Sequence, residues 1–247
     1  MSSTLFDPID LGSIKAPNRI VMAPLTRGRS SAGHVPVTEL KAEYYGQRAS
    51  GGLLIAEATG ISQEGLGWPS APGIWSDEQV AAWKPVTDEV HKRGGRVMSP
   101  LAHRGRLVHS DFLDGAQPVS SSATTAPGYA HTAEGKKDYV EARALEISEI
   151  PRVIADYVHA AKNAIAAGFD GVQIHGANGY LIDQFLRDNT NFRTDEYGGS
   201  IENRIRLLRE VTQAVVDAVG ADRTSVRLSP NGETQGADDS NPVALFT

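Results

Sequence analysis

The feature that most constrains the fold is a regular alternation of short apolar runs with longer segments of helical periodicity. The apolar runs predict five buried strands, at residues 19–23, 53–57, 96–101, 170–175 and 225–229. The segments between them repeat apolar residues at helical spacing, at residues 38–50, 76–93, 148–168 and 200–220. Because parallel strands need a crossover between them, this order predicts a parallel sheet with helices packed against it.

Capping signals mark several of the helix ends. Ser76 and Gln79 have the spacing of a capping box, in which the two side chains accept hydrogen bonds from free backbone N–H groups. Ser148 is expected to cap the third helix. The pair Asn241 and Pro242 predicts a further helix start, since proline suits the first helical position.

The strand and helix order favours an α/β fold of the (β/α)8 TIM-barrel type. No Gly-x-Gly-x-x-Gly follows the first strand, which disfavours a Rossmann sheet. We expect one domain, residues 1–247, with only about five strand–helix units, which is incomplete for a barrel of eight. An open sheet would expose two apolar edges. Three interpretations therefore remain: a truncated chain, which we favour, a split protein completed by another chain, and a swapped oligomer.

The segment at about 102–143 is too long for a plain connection. It is rich in turn residues, including the serines at 120–122 and the Pro-Gly pair at 127–128. Long connections of this kind commonly carry function. We therefore predict that it forms a cap over the site.

Composition excludes several kinds of site and partner. The chain has 24 Lys and Arg against 30 Asp and Glu, a net charge of −6, and no basic run, which argues against nucleic acid. It has no cysteine, no chelating pair among its seven histidines and no Gly-x-Ser-x-Gly, so neither a metal site nor a serine or thiol nucleophile is predicted. No apolar run reaches the roughly 18 residues of a membrane span, and residues 1–10 lack a secretory signal. A cytoplasmic protein is expected.

Polar or small residues follow each predicted strand. In a barrel, the C-terminal strand ends converge on one face, where active sites are built. The residues at these ends are Thr26, Ala58, His103 with Arg106, His175 with Asn178 and Tyr180, and Arg227.

His175, Asn178 and Tyr180 are the most informative of these residues. A histidine and an asparagine can donate hydrogen bonds to one carbonyl oxygen and stabilise a developing enolate. A tyrosine stays protonated at neutral pH and can donate a proton. The alternative for His175 is a structural histidine beside a turn.

Two further features allow either a structural or a functional interpretation. A guanidinium buried in the last strand at Arg227 needs an anion, which is either an ion-pair partner or a cofactor ring that becomes anionic on reduction. Trp68 and Trp75 either line a substrate pocket or cover the helix beneath them.

Several segments together resemble the Old Yellow Enzyme family. They are VMAPLTR at 21–27, EAT at 57–59, APG at 71–73, GFDGVQIHGANGYL at 168–181, QFL at 184–186 and RTDEYGGSIENR at 193–204. The resemblance covers essentially the whole chain. It implies an FMN-dependent barrel that takes hydride from NADH or NADPH and passes it, through the flavin, to the β-carbon of an activated alkene.

The resemblance also implies roles for individual residues at the flavin. Pro24, Leu25 and Thr26 would lie against the flavin, and Ala58 would sit near its reactive edge. Arg227 would stabilise the reduced, anionic flavin, and His175 would also lie within the cofactor site.

On the substrate side, His175 and Asn178 would hold the carbonyl group of the substrate. Tyr180 would protonate its α-carbon. Trp68 and Ala102 would complete the substrate pocket.

Two substitutions depart from the family pattern. Pro100 stands where the family commonly has a glutamine that bonds the flavin, and Ala102 replaces a large indole. The last strands, which hold the flavin phosphate in the family, are absent from the 247 residues. The competing hypothesis is a flavin-free remnant or a half-barrel that needs a partner chain. An aldolase would need a lysine at a strand end, and none of the five strands offers one.

Overall fold

A parallel sheet organises the part of the chain that the computed structural model describes, residues 4–247; residues 1–3 of the predicted domain lie outside the described residues. The strands are β1 Ile9–Leu11, β2 Ile14–Ala16, β3 Val21–Met22, β4 Leu53–Ile55, β5 Thr59–Gly60, β6 Val97–Ala102, β7 Val119–Ser120, β8 Tyr129–Thr132, β9 Gly135–Asp138, β10 Arg143–Ala144, β11 Gly171–His175 and β12 Thr224–Arg227. The α-helices are α1 Thr38–Gly46, α2 Asp77–Lys92, α3 Ile150–Ala166, α4 Leu181–Leu186, α5 Ile201–Arg204, α6 Arg206–Val219 and α7 Pro242–Phe246.

The strand order in the main sheet is β12-β11-β6-β4-β3, and β5 also pairs with β6. All of these pairings are parallel, as the strand and helix alternation predicts. The five predicted strands correspond to β3, β4, β6, β11 and β12, each shifted or shortened by a few residues at most. The sheet is that of a partial barrel. Its register sets His175 opposite Arg227 and Gln173 opposite Pro100.

The predicted helices are present, with two differences. The segment predicted as one helix at 200–220 is divided at Ile205 into α5 and α6. Ser148 does not cap α3, because it lies inside a 3₁₀ turn, Ile147–Glu149, that runs directly into the helix. In that turn the Glu149 carboxylate accepts the Glu146 N–H at 2.9 Å and pairs with the Arg143 guanidinium. The Ser148 prediction is therefore wrong, whereas the Ser76 capping box and the Asn241 cap are confirmed.

The core lies between the sheet and the helices packed on its outer face. Trp83 of α2 and Tyr157 of α3 are fully buried there against strand residues such as Ile174. Trp83 also donates from its indole nitrogen to the Gly73 carbonyl at 3.1 Å. Fully burying a large apolar side chain contributes roughly 1.5–3 kcal/mol. This packing fixes the strands whose ends carry the site.

The β1–β2 hairpin covers part of the sheet, whereas the two outer strands are partly exposed. The β1–β2 hairpin places Ile14 against Leu53 and Met98, near the N-terminal ends of their strands. The outer strands of the sheet, β3 and β12, leave apolar side chains such as Val21 and Val226 exposed. Within residues 4–247, no helix is both long enough and apolar enough to cross a membrane.

The segment at 102–143 has more regular structure than its turn residues predict. It contains the antiparallel hairpin β8–β9 and the strand β7, which pairs with β10. Because the His131 ring of this hairpin contacts the Trp68 ring in a tilted arrangement, with centroids 4.8 Å apart, the hairpin lies against the loop that follows β5.

Ser76 caps α2 and Ser148 does not cap α3, so the two serines give a matched pair of variants. We expect Ser76→Ala to lower the free energy of unfolding by about 1 kcal/mol, because it removes a cap that Gln79 N–H uses. Ser148→Ala should change it by less than about 0.5 kcal/mol, because this exposed hydroxyl makes no capping bond. Urea unfolding measures both. A larger loss for Ser148→Ala would contradict this assignment of the helix start.

Candidate active site

A cavity of about 350 Å³ opens at the C-terminal ends of the main strands. This volume lies at the lower end of the range for small-molecule sites. Among the described residues, no aspartate or glutamate lines this cavity. The lining residues are Pro24, Leu25, Thr26, Ala58, Trp68, Pro100, Arg104, Leu107, Tyr139, His175, Asn178, Tyr180, Arg227 and Gln235.

The cavity brings together the residues to which the family resemblance assigns a role, with one exception. Ala102 is buried at the end of β6, opposite Gly60, and is not among the lining residues. The others line the cavity: Pro24, Leu25, Thr26, Ala58, Trp68, His175, Asn178, Tyr180 and Arg227. The strand-end rule therefore locates the cavity from sequence.

Three other residues considered for the mouth of the barrel lie elsewhere. His103 is fully buried, with its Nε2 3.6 Å from a Glu64 carboxylate oxygen. Arg106 donates to the backbone carbonyls of Gln235 and Gly236 instead of facing the cavity. Trp75 lies outside the lining and packs near His34, with ring centroids 6.0 Å apart.

The loop after β11, which carries Asn178 and Tyr180, has an uncommon backbone conformation. Asn178 has a φ of 58° and Gly179 a φ of 74°, both in the left-handed region. A Cβ at Gly179 would lie 2.7 Å from the Thr234 carbonyl oxygen, so this position requires glycine. The Asn178 N–H donates to Ser229 Oγ at 2.9 Å, which ties the loop to the chain after β12.

Asp183 supports the same loop from below. Its carboxylate accepts the Gly179 N–H at 2.8 Å and the Arg187 Nε–H at 2.9 Å. The side chains of Asp183 and Arg187 are almost fully buried and form an ion pair. The Asp183 carboxylate is thus occupied with positioning the loop.

Gln184 joins three parts of the site through one buried carboxamide. Its Oε1 accepts the Arg106 N–H at 3.1 Å and the Ser120 hydroxyl at 2.8 Å. Its Nε2 donates to the carbonyls of Arg104 at 3.0 Å and Gly179 at 2.7 Å. All four hydrogen-bonding positions of the amide are used. The loops after β6 and β11 and the strand β7 are therefore held to one another.

The electrostatics of the cavity keep His175 neutral. Burial, with smaller contributions from the charges of Arg227 and Arg104, lowers the pKa of His175 to about 3. Its Nε2 has no hydrogen-bond partner among the described residues. Its ring lies beside that of Tyr180, with centroids 4.5 Å apart. A neutral imidazole next to a phenol can bind a carbonyl oxygen or an anion without bringing a charge of its own.

Arg227 differs from its prediction in one respect. The sequence pattern predicts a buried guanidinium, but the residue is only partly buried, because β12 is an outer strand of the sheet. Its side chain still lines the cavity.

Sequence reasoning missed four lining residues: Arg104, Leu107, Tyr139 and Gln235. Arg104 lies in the segment after β6, so its position after a strand end was an available signal. Tyr139 and Gln235 come from long connections. No local pattern shows which side chain of such a connection returns to the cavity.

Comparison with known proteins places this geometry among flavin enzymes. The profile of the NADH:flavin oxidoreductase / NADH oxidase family matches residues 4–246. The chain is 50% identical over 244 residues to putative 12-oxophytodienoate reductase 3 of Oryza sativa subsp. japonica. That match covers 98% of this chain and 62% of the relative, so the chain spans less than two thirds of the length of this relative.

Solved structures agree with the sequence relatives. The old yellow enzyme homologue from Zymomonas mobilis superposes with a TM-score of 0.96 at 62% identity, covering 99% of this chain and 68% of that one. A morphinone reductase in complex with tetrahydroNAD gives a TM-score of 0.95 at 47% identity, covering 99% and 69%.

The Gln184 amide should be a major contributor to stability. We expect Gln184→Leu to lower the free energy of unfolding by about 3–5 kcal/mol, because four buried polar groups lose their partner. Gln213→Leu, on the exposed face of α6, should cost less than about 0.5 kcal/mol. Thermal and urea unfolding compare the two variants. Equal effects would show that the amide network contributes nothing specific.

The lowered pKa of His175 should appear in the pH dependence of stability. The folded pKa of about 3 lies below the ordinary value of 6.5, so the unfolded chain takes up this proton first as the pH falls. The contribution of neutral His175 to the free energy of unfolding is fully present above pH 6.5 and is lost progressively as the pH falls towards 3. Between pH 7 and pH 5, the unsubstituted chain should lose about 1–2 kcal/mol more than His175→Asn. Urea unfolding of both at each pH measures this, with the exposed His159→Asn as the control; identical pH profiles for His175→Asn and the unsubstituted chain would contradict it.

Proposed function

The chain belongs to the NADH:flavin oxidoreductase / NADH oxidase family, and from this premise we propose that it acts as an FMN-dependent ene-reductase on small activated alkenes. The hydride donor is NADH or NADPH. The architecture that we propose is the eight-unit barrel, of which β3, β4, β6, β11 and β12 with their helices are five units in one domain. The segment at 102–143 would serve as the cap over the site, since Tyr139 near its end lines the cavity.

The observation that carries this proposal is the group formed by His175, Asn178 and Tyr180. The three side chains share one cavity, the imidazole is neutral with a free Nε2, and the phenol ring lies next to it. A neutral imidazole and a carboxamide can both donate to one carbonyl oxygen. Such an arrangement suits the polarisation of an α,β-unsaturated carbonyl compound.

The other residues that line the cavity fit a flavin ring. Pro24, Leu25 and Ala58 supply a small apolar wall, and Thr26 adds a hydroxyl. Arg227 supplies a cation at the end of β12, where it can stabilise a ring that becomes anionic. When bound, FMN would supply the redox centre between NAD(P)H and the β-carbon of the alkene.

The chain's own residues would bind the substrate and move one proton. His175 and Asn178 would orient the carbonyl oxygen and stabilise the negative charge that develops on it. Tyr180 would give its phenolic proton to the α-carbon, and the cap with Trp68 would exclude water from the cavity. Pro100 lines the cavity but has no N–H and no side-chain donor, so it would leave one edge of the flavin without a hydrogen bond.

A second candidate, a flavin-free half-barrel that needs a partner chain, is favoured by the exposed apolar side chains on the outer strands. Val21 is 48% exposed on β3, and Val226 is 37% exposed on β12. A flat, unpaired edge with apolar side chains is a surface that proteins normally cover. Flavin binding separates the two candidates.

The test is a visible absorbance spectrum of the 247-residue protein after addition of FMN and desalting. A retained flavin band supports the ene-reductase, whereas a colourless protein supports the second candidate. In flavin-loaded protein, Tyr180→Phe should slow the reduction of 2-cyclohexenone by NADPH about 10²–10⁴-fold, because it removes the proton donor, while the flavin band stays. Tyr129→Phe, on the cap hairpin, removes a hydroxyl outside the cavity and is the control. An unchanged rate for Tyr180→Phe would exclude it as the donor.

A further inference from the structure

Arg104 lies inside the cavity and is held there by two aromatic rings. Its guanidinium carbon is 5.4 Å from the centroid of Trp68 and 5.1 Å from that of Tyr180. Its backbone is fixed as well, because its N–H donates to the Gly65 carbonyl at 2.9 Å and its carbonyl accepts from Gln184. The side chain therefore has a defined position beside the proposed proton donor.

The charge of Arg104 has no counter-charge in the part of the chain that the structure describes. The residue is only 9% exposed, yet over residues 4–247 its guanidinium forms no ion pair and donates no hydrogen bond. The other strongly buried arginines all have partners among the described residues. Arg187 pairs with Asp183, and Arg204 pairs with Asp239. Arg106 has no ion pair, but its guanidinium donates to the Thr124 hydroxyl and to two backbone carbonyls. Cation–π contact with two rings offsets part of the desolvation of a guanidinium, but its five N–H donors still need acceptors.

The surroundings of Arg104 favour an anion from outside the chain. Arg104 and Arg227 line the cavity, and none of the lining residues is acidic, although the protein as a whole carries a net charge of −6. Both cations are close enough to His175 for their charges to lower its pKa. A concave site with one sign of charge concentrates ligands of the opposite sign. Arg227 is proposed to stabilise the reduced flavin, so Arg104 is the cation that remains to bind an anionic ligand.

We propose that Arg104 recognises a carboxylate on the substrate, so that the preferred alkenes are α,β-unsaturated ketones that also carry a carboxylate. A planar guanidinium matches a carboxylate through two parallel hydrogen bonds. The position next to Tyr180 favours the substrate over the dinucleotide, because the phosphates of NADH and NADPH are separated from the nicotinamide ring by a ribose. This assignment rests on the proposed function.

The carboxylate takes no part in the reaction itself. The alkene gains a hydride that comes from NAD(P)H and a proton that comes from Tyr180, which solvent then reprotonates. NAD(P)⁺ and the saturated keto acid are the products. Arg104 is therefore a specificity-determining residue, and its effect belongs to binding.

A binding experiment tests Arg104 without requiring turnover. We compare levulinate, a saturated 4-oxo acid, with its methyl ester by titration calorimetry on the FMN-treated 247-residue protein. The unsubstituted chain should bind the acid about tenfold or more tightly than the ester, the range expected for a charge-assisted hydrogen bond. Arg104→Met should abolish that preference and leave ester binding unchanged. Arg104→Lys should retain part of the preference, and Arg209→Met, exposed on α6, is the control for the loss of one charge.

Turnover gives a second, independent measurement. With 4-oxopent-2-enoate and its methyl ester, Arg104→Met should raise KM for the acid about tenfold and leave kcat and the ester unchanged. Equal binding of levulinate and its ester by the unsubstituted chain would overturn the proposal. So would an equal loss of both ligands in Arg104→Met, or a change in KM for NADPH but not NADH with acid binding unaffected. Absence of turnover with every alkene, including 2-cyclohexenone, would refute the ene-reductase and leave the calorimetric preference as the test of Arg104.

Discussion

The site depends on the hydrogen bonds of the Gln184 carboxamide. The loop after β6 carries Arg104, the loop after β11 carries Tyr180, and neither loop belongs to the sheet ladder. Gln184 lies on α4 and bonds to both loops and to Ser120 of β7 at once. Since each buried amide atom is satisfied, any rearrangement of one loop would leave polar groups of the others without partners. The relative placement of Arg104 and Tyr180 is thus a consequence of one side chain.

Neighbouring side chains in the cavity have different charge states, because burial neutralises an imidazole but not a guanidinium. Desolvation disfavours the charged imidazole, and the two arginines disfavour it further, so His175 is neutral. A guanidinium is always protonated at physiological pH, so Arg104 and Arg227 keep their charge in the same surroundings. The cavity therefore contains a neutral hydrogen-bond donor and two permanent cations. This combination suits a substrate whose carbonyl group gains negative charge during the reaction.

The sequence predicts the sheet and most of the site, because both follow from simple periodicities. Apolar runs locate the strands, and the end of each strand locates a cavity residue such as Thr26, His175 or Arg227. The failures at His103 and Arg106 share a physical cause. Both residues follow the last residue of β6, where the two-residue alternation of a strand no longer sets the direction of a side chain. Their directions follow from distant partners instead, a Glu64 carboxylate for His103 and two backbone carbonyls after β12 for Arg106, which strand ends alone do not identify.

The sequence could not predict which buried arginine has an ion-pair partner within the protein. Arg104, Arg187 and Arg204 are all buried arginines, and no local pattern distinguishes them. The partner of Arg187, Asp183, lies four residues earlier in the chain, whereas the partner of Arg204, Asp239, lies 35 residues further along. A buried charge whose partner belongs to the chain is part of the fold. Because desolvation makes an unpaired one costly, a cation kept without a partner in a cavity indicates that its partner is a ligand.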